Sequence, residues 1–426
     1  MRILMLVDCY YPSTKSVAKL VRDLGIEFHR LGNQVLVLTP SEANSGPLVI
    51  SAEDGIMVAR VKTGRIKGAS NVRRALEEMR LSSNLWSKAR KFLYKNPCEL
   101  IISYSPSIFF GPLVRKLKDL WACPSYLILR DIFPQWAVDA GILRRGLLHR
   151  FFRTFETYQY DVSDLIAVQS PANLTYFAQM FPRKNYGLKI LYNWTALHEP
   201  NLPKTNFRSR LCLENKVVFF FGGNIGVAQD MDNVVRLAAR LARLTNIHLL
   251  LVGNGSEVPR LNHFIAAKGL RNITILPAVD QDEYLSMLSE FDVGLVSLDR
   301  RHKTHNVPGK LLSYLFWGIP ILASLNPGND LFDLVHKNQA GLCFVNGDDD
   351  NLAAAAERLA DDADLRAKLG RNARGLLERT FSVDAAAAQI FAHLQDAGLV
   401  FQGSQLLEPA KADPAVTPLS RQKVFN

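Results

Sequence analysis

The stretch Val217-Val218-Phe219-Phe220-Phe221-Gly222-Gly223-Asn224-Ile225-Gly226 decides how this chain is read. Five β-branched or aromatic residues in a row suit a strand buried on both faces. The glycines after them suit a tight turn into a helix that opens near Asp230. That strand–turn–helix step is the unit of a parallel sheet covered by helices, and it recurs in both directions along the chain. Downstream, Leu249–Val252, Ile273–Leu276, Val293–Ser297, Ile321–Ala323 and Leu342–Val345 repeat it. Upstream, an independent series runs through Ile3–Val7, Val35–Leu38, Met57–Val61, Leu100–Tyr104, Tyr126–Leu129, Leu165–Val168 and Ile190–Tyr192. The polar segment Asn193–Arg210, with Pro200 and Pro203, separates the two series as a linker. The expectation is two doubly wound α/β domains, covering 1–195 and 196–382. An Ala-rich closing helix follows over 383–400, then a polar tail over 401–426.

In doubly wound sheets ligands bind beyond the carboxyl ends of the strands, and two such domains facing each other enclose a cleft. The residues just after each strand are therefore the candidates. Gly222, Gly223, Asn224 and Gly226 would let a diphosphate approach backbone amides, although tight turns use glycine for steric reasons alone. Asp230 and Asp232 cap the next helix favourably but repel an anion there unless they turn aside. Gly253-Asn254-Gly255 reads as a structural turn with a ligand-side role at Gly253.

A sharper signal follows strand Val293–Ser297, in Asp299-Arg300-Arg301-His302-Lys303-Thr304-His305-Asn306-Val307-Pro308-Gly309-Lys310. Pro308 suits the first turn of a helix that ends near Gly318. Lys310 then sits where the helix dipole disfavours a cation, a placement that makes sense if an anion binds. Lys310, Ser313 and Trp317 share one face, while Leu311, Leu312 and Leu315 turn to the core. In the first half, strand Tyr126–Leu129 leads into Arg130-Asp131-Ile132-Phe133-Pro134-Gln135-Trp136. Asp131 is placed either for sugar hydroxyls and proton transfer or as a structural partner of Arg130.

Composition narrows the classes. The chain has 426 residues, 48% hydrophobic and 21% charged, which is ordinary for a globular protein. Its start, Met1-Arg2-Ile3-Leu4-Met5-Leu6-Val7-Asp8, is too short an apolar run for a secretory leader, and no stretch has the length of a spanning helix. Five dispersed cysteines suit reduced thiols rather than a metal or disulfide framework. Residues 1–200 hold 27 Lys+Arg against 16 Asp+Glu, the whole +11 excess of the chain, while residues 201–426 balance at 24 each. One-sided charge of this kind points to an anionic partner of the first domain, nucleic acid or a membrane surface, or else to a solvated basic face with no partner. No nucleic-acid recognition motif accompanies it, which favours a membrane surface. Leu143–Tyr160 interleaves Arg144, Arg145, Arg150 and Arg153 with Leu147, Leu148, Phe151, Phe152 and Phe155. Asn71–Lys95 is a second basic helix with Trp86.

Three strings, in this order, resemble the retaining glycosyltransferase family four: Leu129-Arg130-Asp131-Ile132-Phe133-Pro134-Gln135-Trp136-Ala137-Val138-Asp139; Gly222-Gly223-Asn224-Ile225-Gly226-Val227-Ala228-Gln229-Asp230-Met231; and His302-Lys303-Thr304-His305-Asn306-Val307-Pro308-Gly309-Lys310-Leu311-Leu312. They are most similar to bacterial O-antigen and capsule enzymes described as N-acetyl-L-fucosaminyl transferases. The resemblance implies a GT-B fold, two Rossmann-like doubly wound parallel-sheet domains facing across a cleft. It implies a nucleotide diphosphate sugar donor, UDP-linked, held by the second domain through Gly222, Gly223, Asn224, Gly226, Gly253, Lys303, His305, Asn306, Lys310 and Ser313. It also implies a polyprenyl-diphosphate-linked glycan acceptor on the first domain, with Lys15, Ser16 and Arg130 on that side and Asp131 catalytic. Transfer would proceed with retention, without a metal or resident cofactor, in the cytoplasm at the inner membrane leaflet. The chain departs from the family at two places. Where members commonly carry two glutamates eight positions apart, the second meeting the ribose, it has His305 and Ser313. Where many carry an arginine–lysine pair in the glycine loop it offers Asn224 and Gln229, so charge neutralisation falls on Lys303 and Lys310. Fold alone leaves two other classes open: a sugar-nucleotide 2-epimerase of the same architecture, and a catalytically silent partner subunit.

Overall fold

The computed structural model describes residues 1–13, 15–42, 45–64, 78–139, 142–197, 205–301 and 307–399. Two sheets organise it. The first has eight strands: β1 (Arg2–Leu6), β2 (Gln34–Ser41), β3 (Leu48–Glu53), β4 (Ile56–Lys62), β5 (Leu100–Tyr104), β6 (Ser125–Ile128), β7 (Leu165–Val168) and β8 (Leu188–Ile190), in the order β3-β4-β2-β1-β5-β6-β7-β8. The second has six: β9 (Val217–Gly222), β10 (Ile247–Val252), β11 (Ile273–Leu276), β12 (Val293–Ser297), β13 (Ile321–Leu325) and β14 (Gly341–Val345), in the order β11-β10-β9-β12-β13-β14. Every pairing is parallel except β3 with β4. The central strands read as unbroken apolar runs because helices cover both faces: Ile3, Leu4 and Leu6, like Phe219, Phe220 and Phe221, are fully buried.

The expected parallel pattern missed one element. β3 is an antiparallel edge strand whose side chains are mostly half-buried or exposed, so it lacks the apolar run that marks the others. Its turn did carry a signal. Asp54 and Gly55 both have positive φ, 52° and 78°, as a two-residue hairpin turn requires. A Cβ on Gly55 would also lie 2.3 Å from the His29 ring.

The helices that matter below are α1 (Ser16–Arg30), α2 (Leu81–Lys95), α3 (Gly111–Trp121), α4 (Gln135–Asp139), α5 (Leu147–Val162) and α6 (Pro171–Met180) in the first domain. In the second they are α7 (Met231–Arg240), α8 (Val258–Lys268), α9 (Gln281–Leu288), α10 (Gly309–Phe316), α11 (Leu331–Lys337), α12 (Asp349–Asp361) and α13 (Ala363–Leu376). The last, α14, spans Val383–Asp396. It does not stay with the second domain. Val383, Ala386, Ala387, Ile390 and Leu394 join the core formed by Ile3, Met5, Phe28 and Tyr126. The Tyr126 hydroxyl meets His393 Nδ1 at 2.8 Å, and Phe391 packs 5.3 Å from the Phe28 ring. The chain thus crosses between domains twice. The two crossings touch where Thr195 and Ser382 form a parallel bridge, beside the buried Trp194 whose Nε1 donates to the Leu20 carbonyl at 2.9 Å.

Burial, with the nearby Lys189 charge, lowers the His393 pKa to about 4, and burial does the same to His248 in the second domain. Below 6.5 the unfolded chain therefore takes up protons that the folded chain refuses. The contribution of these two histidines should be flat above pH 7 and fall as pH drops from 6.5 towards 4. Thermal unfolding of His393→Gln should show a shallower fall over that window than the parent.

Candidate functional site

The second sheet reverses its order between β9 and β12, and the two strands stay paired only through Val293–Phe219 and Gly294–Phe220. Where they part, backbone groups lose their ladder partners. Tyr314, from α10, fills the gap. Its hydroxyl accepts from the Gly222 amide at 3.2 Å and lies within donating reach of the Phe220 and Leu295 carbonyls, at 3.2 and 3.3 Å. Gly294 is what admits the ring, since a Cβ there would lie 2.4 Å from it. This reversal is where the doubly wound architecture places a ligand.

A cavity of about 530 Å³ opens there, lined by the loops after β9, β10 and β11 and by the start of α10. Of the residues expected at a donor site, Gly222, Gly223, Asn224, Gly253, Lys310 and Ser313 line it. Gly226 stands behind them, its amide donating to Gln229 Oε1 at 3.3 Å. Lys303, His305 and Asn306 lie outside the described residues. Lys15, Ser16, Arg130 and Asp131 belong to the first domain and do not line this cavity.

The glycine loop differs from expectation in one respect. Its amides are largely occupied: Gly222 by Tyr314, Gly223 by the Val252 carbonyl at 2.9 Å, Ile225 by the Asn254 carbonyl at 2.9 Å, and Gly226 by Gln229. Only the Asn224 amide has no partner among the described residues. Gly253 is likewise needed for packing, because a Cβ there would stand 1.8 Å from the Gly223 carbonyl oxygen. The loop is therefore a floor, and an anion would find its donors at the Asn224 amide and at α10. The two acids that threatened an anion do turn aside. Asp230 accepts from Asn346 Nδ2 at 2.9 Å, and Asp232 pairs with Arg260 at 2.8 Å.

Lys310 supplies the charge. It sits in the first turn of α10, whose N-cap is Pro308 and whose exit is the left-handed Gly318, φ 62°. Its Nζ rests 3.3 Å from the centroid of the Phe221 ring and close above Gly223. Among the described residues no carboxylate pairs with it, and burial pushes its pKa down to about 7. Ser313, one turn on, faces the Tyr284 hydroxyl from α9. Tyr284 was not legible beforehand: it is accommodated only because Gly222 has no Cβ, which would lie 2.3 Å from the ring.

In the first domain, Arg130 is not the partner of Asp131. Its guanidinium donates to Asn193 Oδ1, and its carbonyl accepts from Gln169 Nε2 at 2.7 Å. Asp131 is exposed, with its amide held loosely by Ser105 Oγ at 3.4 Å. Lys15 caps α1 and Ser16 begins it, at the same end of the sheet.

A separate surface belongs to α4 and α5. Leu147 is 86% exposed, and Ile142, Leu148, Trp136 and Phe151 are exposed beside Arg144, Arg145 and Arg150. Phe152 and Phe155 turn inward onto Phe109. Arg153 departs from the expected basic face: it is drawn inside, bonding Glu156 at 2.8 Å and Tyr176 at 3.1 Å and covering the Phe181 ring. Trp86 on α2 is likewise covered, by Lys116. Arg73 and Arg74, expected on that helix, lie outside the described residues.

Comparison with known proteins places this geometry. Residues 204–376, which hold the cavity, match the family described as Glycosyl transferases group 1. The chain is 24% identical over 225 residues to the putative colanic acid biosynthesis glycosyl transferase WcaI of Escherichia coli, covering 51% of this chain and 55% of that one, so the match spans about half of that relative. It is 23% identical over 387 residues to the probable glycosyltransferase WbjE of Pseudomonas aeruginosa, covering 86% and 89%. Anabaena Alr3699/HepE, solved in complex with UDP, shares the fold with a TM-score of 0.62 at 16% identity over 93% of this chain and 100% of that one. The two parallel-sheet domains are those of the GT-B architecture.

The lowered Lys310 pKa sets the sign of two effects. Between about 7 and 10.5 the unfolded chain holds a proton at this lysine that the folded protein has lost, so the buried charge weakens the fold most below pH 7. Lys310→Met should melt higher than the parent at pH 6, and the gap should close as pH rises towards 10.

Proposed function

We propose that this protein transfers a sugar from a nucleotide diphosphate donor to a lipid-linked oligosaccharide during O-antigen or capsule synthesis, with retention. The donor is a UDP-linked N-acetylated or deoxy sugar, N-acetyl-L-fucosamine first among them by family resemblance. The observation that carries the reading is Lys310, a lysine without a carboxylate partner among the described residues, in the first turn of a helix at the sheet's switch point. Such a group is stabilised when a diphosphate arrives, through the charge and the free first-turn amides together. In this reading Lys310, with Lys303, takes the negative charge that builds on the departing diphosphate, and no metal or resident cofactor is used. Ser313 and Tyr284 flank the nucleotide, and His305 and Asn306 complete the wall. UDP in the similar HepE structure supports this choice of donor class.

Asp131, exposed and unpaired with Arg130, works at the sugar side, orienting hydroxyls as the bond to the diphosphate breaks, with Lys15, Ser16 and Arg130 on the acceptor side. Asp131→Asn keeps shape and removes charge. It should lower turnover by about 100-fold while changing UDP affinity little; turnover equal to the parent's would return Asp131 to a structural role. A screen of UDP-, GDP- and dTDP-linked sugars by thermal shift tests the donor. Stabilisation by UDP-linked N-acetylated sugars is expected, and stabilisation by GDP-sugars alone contradicts it. Consumption of donor without acceptor would mark an epimerase instead.

The acceptor's lipid calls for the inner membrane leaflet, where the protein sits peripherally. The exposed Leu147, Leu148 and Phe151 beside Arg144, Arg145 and Arg150 supply that contact, each exposed arginine contributing about 1 kcal/mol near anionic lipid. Co-sedimentation with phosphatidylglycerol vesicles should be salt-sensitive, and Leu147→Glu with Phe151→Glu should abolish it while leaving UDP binding intact. Retention of that double variant on vesicles would place the contact elsewhere.

A further inference from the structure

What a lysine ordinarily meets in this fold is missing at Lys310. Lys118, Lys184, Lys189 and Lys337 each pair with a carboxylate within 3.3 Å, and Lys88 and Lys216 donate to backbone carbonyls. Lys310 Nζ has neither kind of partner among the described residues; it meets the Phe221 ring and lines the cavity. Three features of the place oppose its charge. The side chain is withdrawn from water, no carboxylate offsets it, and the first turn of α10 presents the positive end of the helix dipole. The ring favours a cation, but burial prevails and the pKa falls to about 7. The other titratable groups around the cavity are engaged elsewhere. Asp280 caps α9, accepting from the Glu283 amide at 2.8 Å, and the Tyr284 hydroxyl turns to Ser313. Neither moves Lys310.

An amine held in this way is a nucleophile near neutral pH. At pH 8 most of it carries a free lone pair, against about 0.3% of a lysine at the ordinary 10.5. A less basic amine attacks more slowly, as a less basic thiol does, so about tenfold of that gain is left. The cavity adds selection. It opens over about 530 Å³, and the Asn224 amide and the start of α10 offer donors for a phosphate beside the amine.

We infer that Lys310 is a site of covalent acylation by acyl phosphates, and that acylation closes the cavity to a diphosphate. The Nζ lone pair attacks the acyl carbon and a C–N bond forms. The C–O bond to phosphorus-bound oxygen breaks, phosphate leaves with that electron pair, and the amine proton passes to water. The products are an uncharged amide and inorganic phosphate. The amide has lost the cation and sets an acyl group over Gly223, where the Lys310 side chain already lies close. The inference rests on the diphosphate reading of the cavity above and adds its regulation: abundant activated acyl groups switch the site off.

The test incubates the full chain with acetyl phosphate and follows each lysine by peptide mass spectrometry, with and without saturating UDP. At pH 8 Lys310 should react about tenfold faster than the median lysine. UDP should slow it by about tenfold or more and leave the other lysines unchanged. Its rate should level off by about pH 8, one unit above the lowered pKa, whereas an ordinary lysine keeps gaining beyond it. Selectivity for Lys310 should be smaller with the neutral reagent p-nitrophenyl acetate. Reaction at or below the median rate overturns the inference, and so does equal selectivity with both reagents. Fast acetylation that levels off in the same way but is not slowed by bound UDP keeps the acylation site and overturns the diphosphate reading of Lys310, so the two failures are distinct.

Discussion

The hydroxyl of Tyr314 settles the geometry of the second domain. Where β9 and β12 separate, it gathers one amide and reaches two carbonyls that the sheet cannot pair, and it can do so only over Gly294. That anchorage pins α10 against the mouth of the sheet, with Leu311 and Leu315 buried behind it. Lys310 is four residues before Tyr314, on the preceding turn, so it is carried to the floor made by Gly223 and Phe221. The packing that closes the core thus also presents the cation. A desolvated ammonium facing an aromatic ring weakens the fold by itself, and it makes sense as half of an interaction whose other half is an anion.

The two domains use the same sheet architecture differently at their reversals. The second closes its backbone with a tyrosine and turns its acids away, Asp230 to Asn346 and Asp232 to Arg260, leaving Lys310 with no carboxylate among the described residues. The first leaves Asp8 Oδ1 and Ser103 Oγ closed to water without a hydrogen-bond partner among the described residues. The returning helix α14 ties the arrangement together by placing the chain's last apolar helix in the first domain's core, next to the bridge between Thr195 and Ser382.

Strands buried on both faces were readable because nothing but apolar residues can stand there; twelve of the thirteen anticipated runs lie along strands, while Ile190–Tyr192 meets β8 only at Ile190. The edge strand β3 escaped, having half-exposed side chains, although Asp54-Gly55 marked its turn. Lys310 was readable because its charge opposes the helix dipole. The occupation of the glycine loop was not, since it arises from β10's loop lying backbone to backbone on it, a contact between residues about thirty apart. Arg153 looked like one more basic residue on α5; its inward turn depends on Glu156 and Tyr176, which pattern alone does not connect. Tyr284 was passed over for the same reason. It matters through what surrounds it in space, a missing Cβ on Gly222.

The central proposal is that a diphosphate is what Lys310 meets, and above about pH 7, to which burial lowers its pKa, that meeting should draw a proton onto it. Proton uptake on binding measures this directly. Calorimetric titration of UDP at pH 8, in two buffers of different ionisation enthalpy, should show most of one proton taken up by the parent protein and none by Lys310→Met. Uptake of no proton by the parent, with affinity equal to that of the variant, would contradict the account.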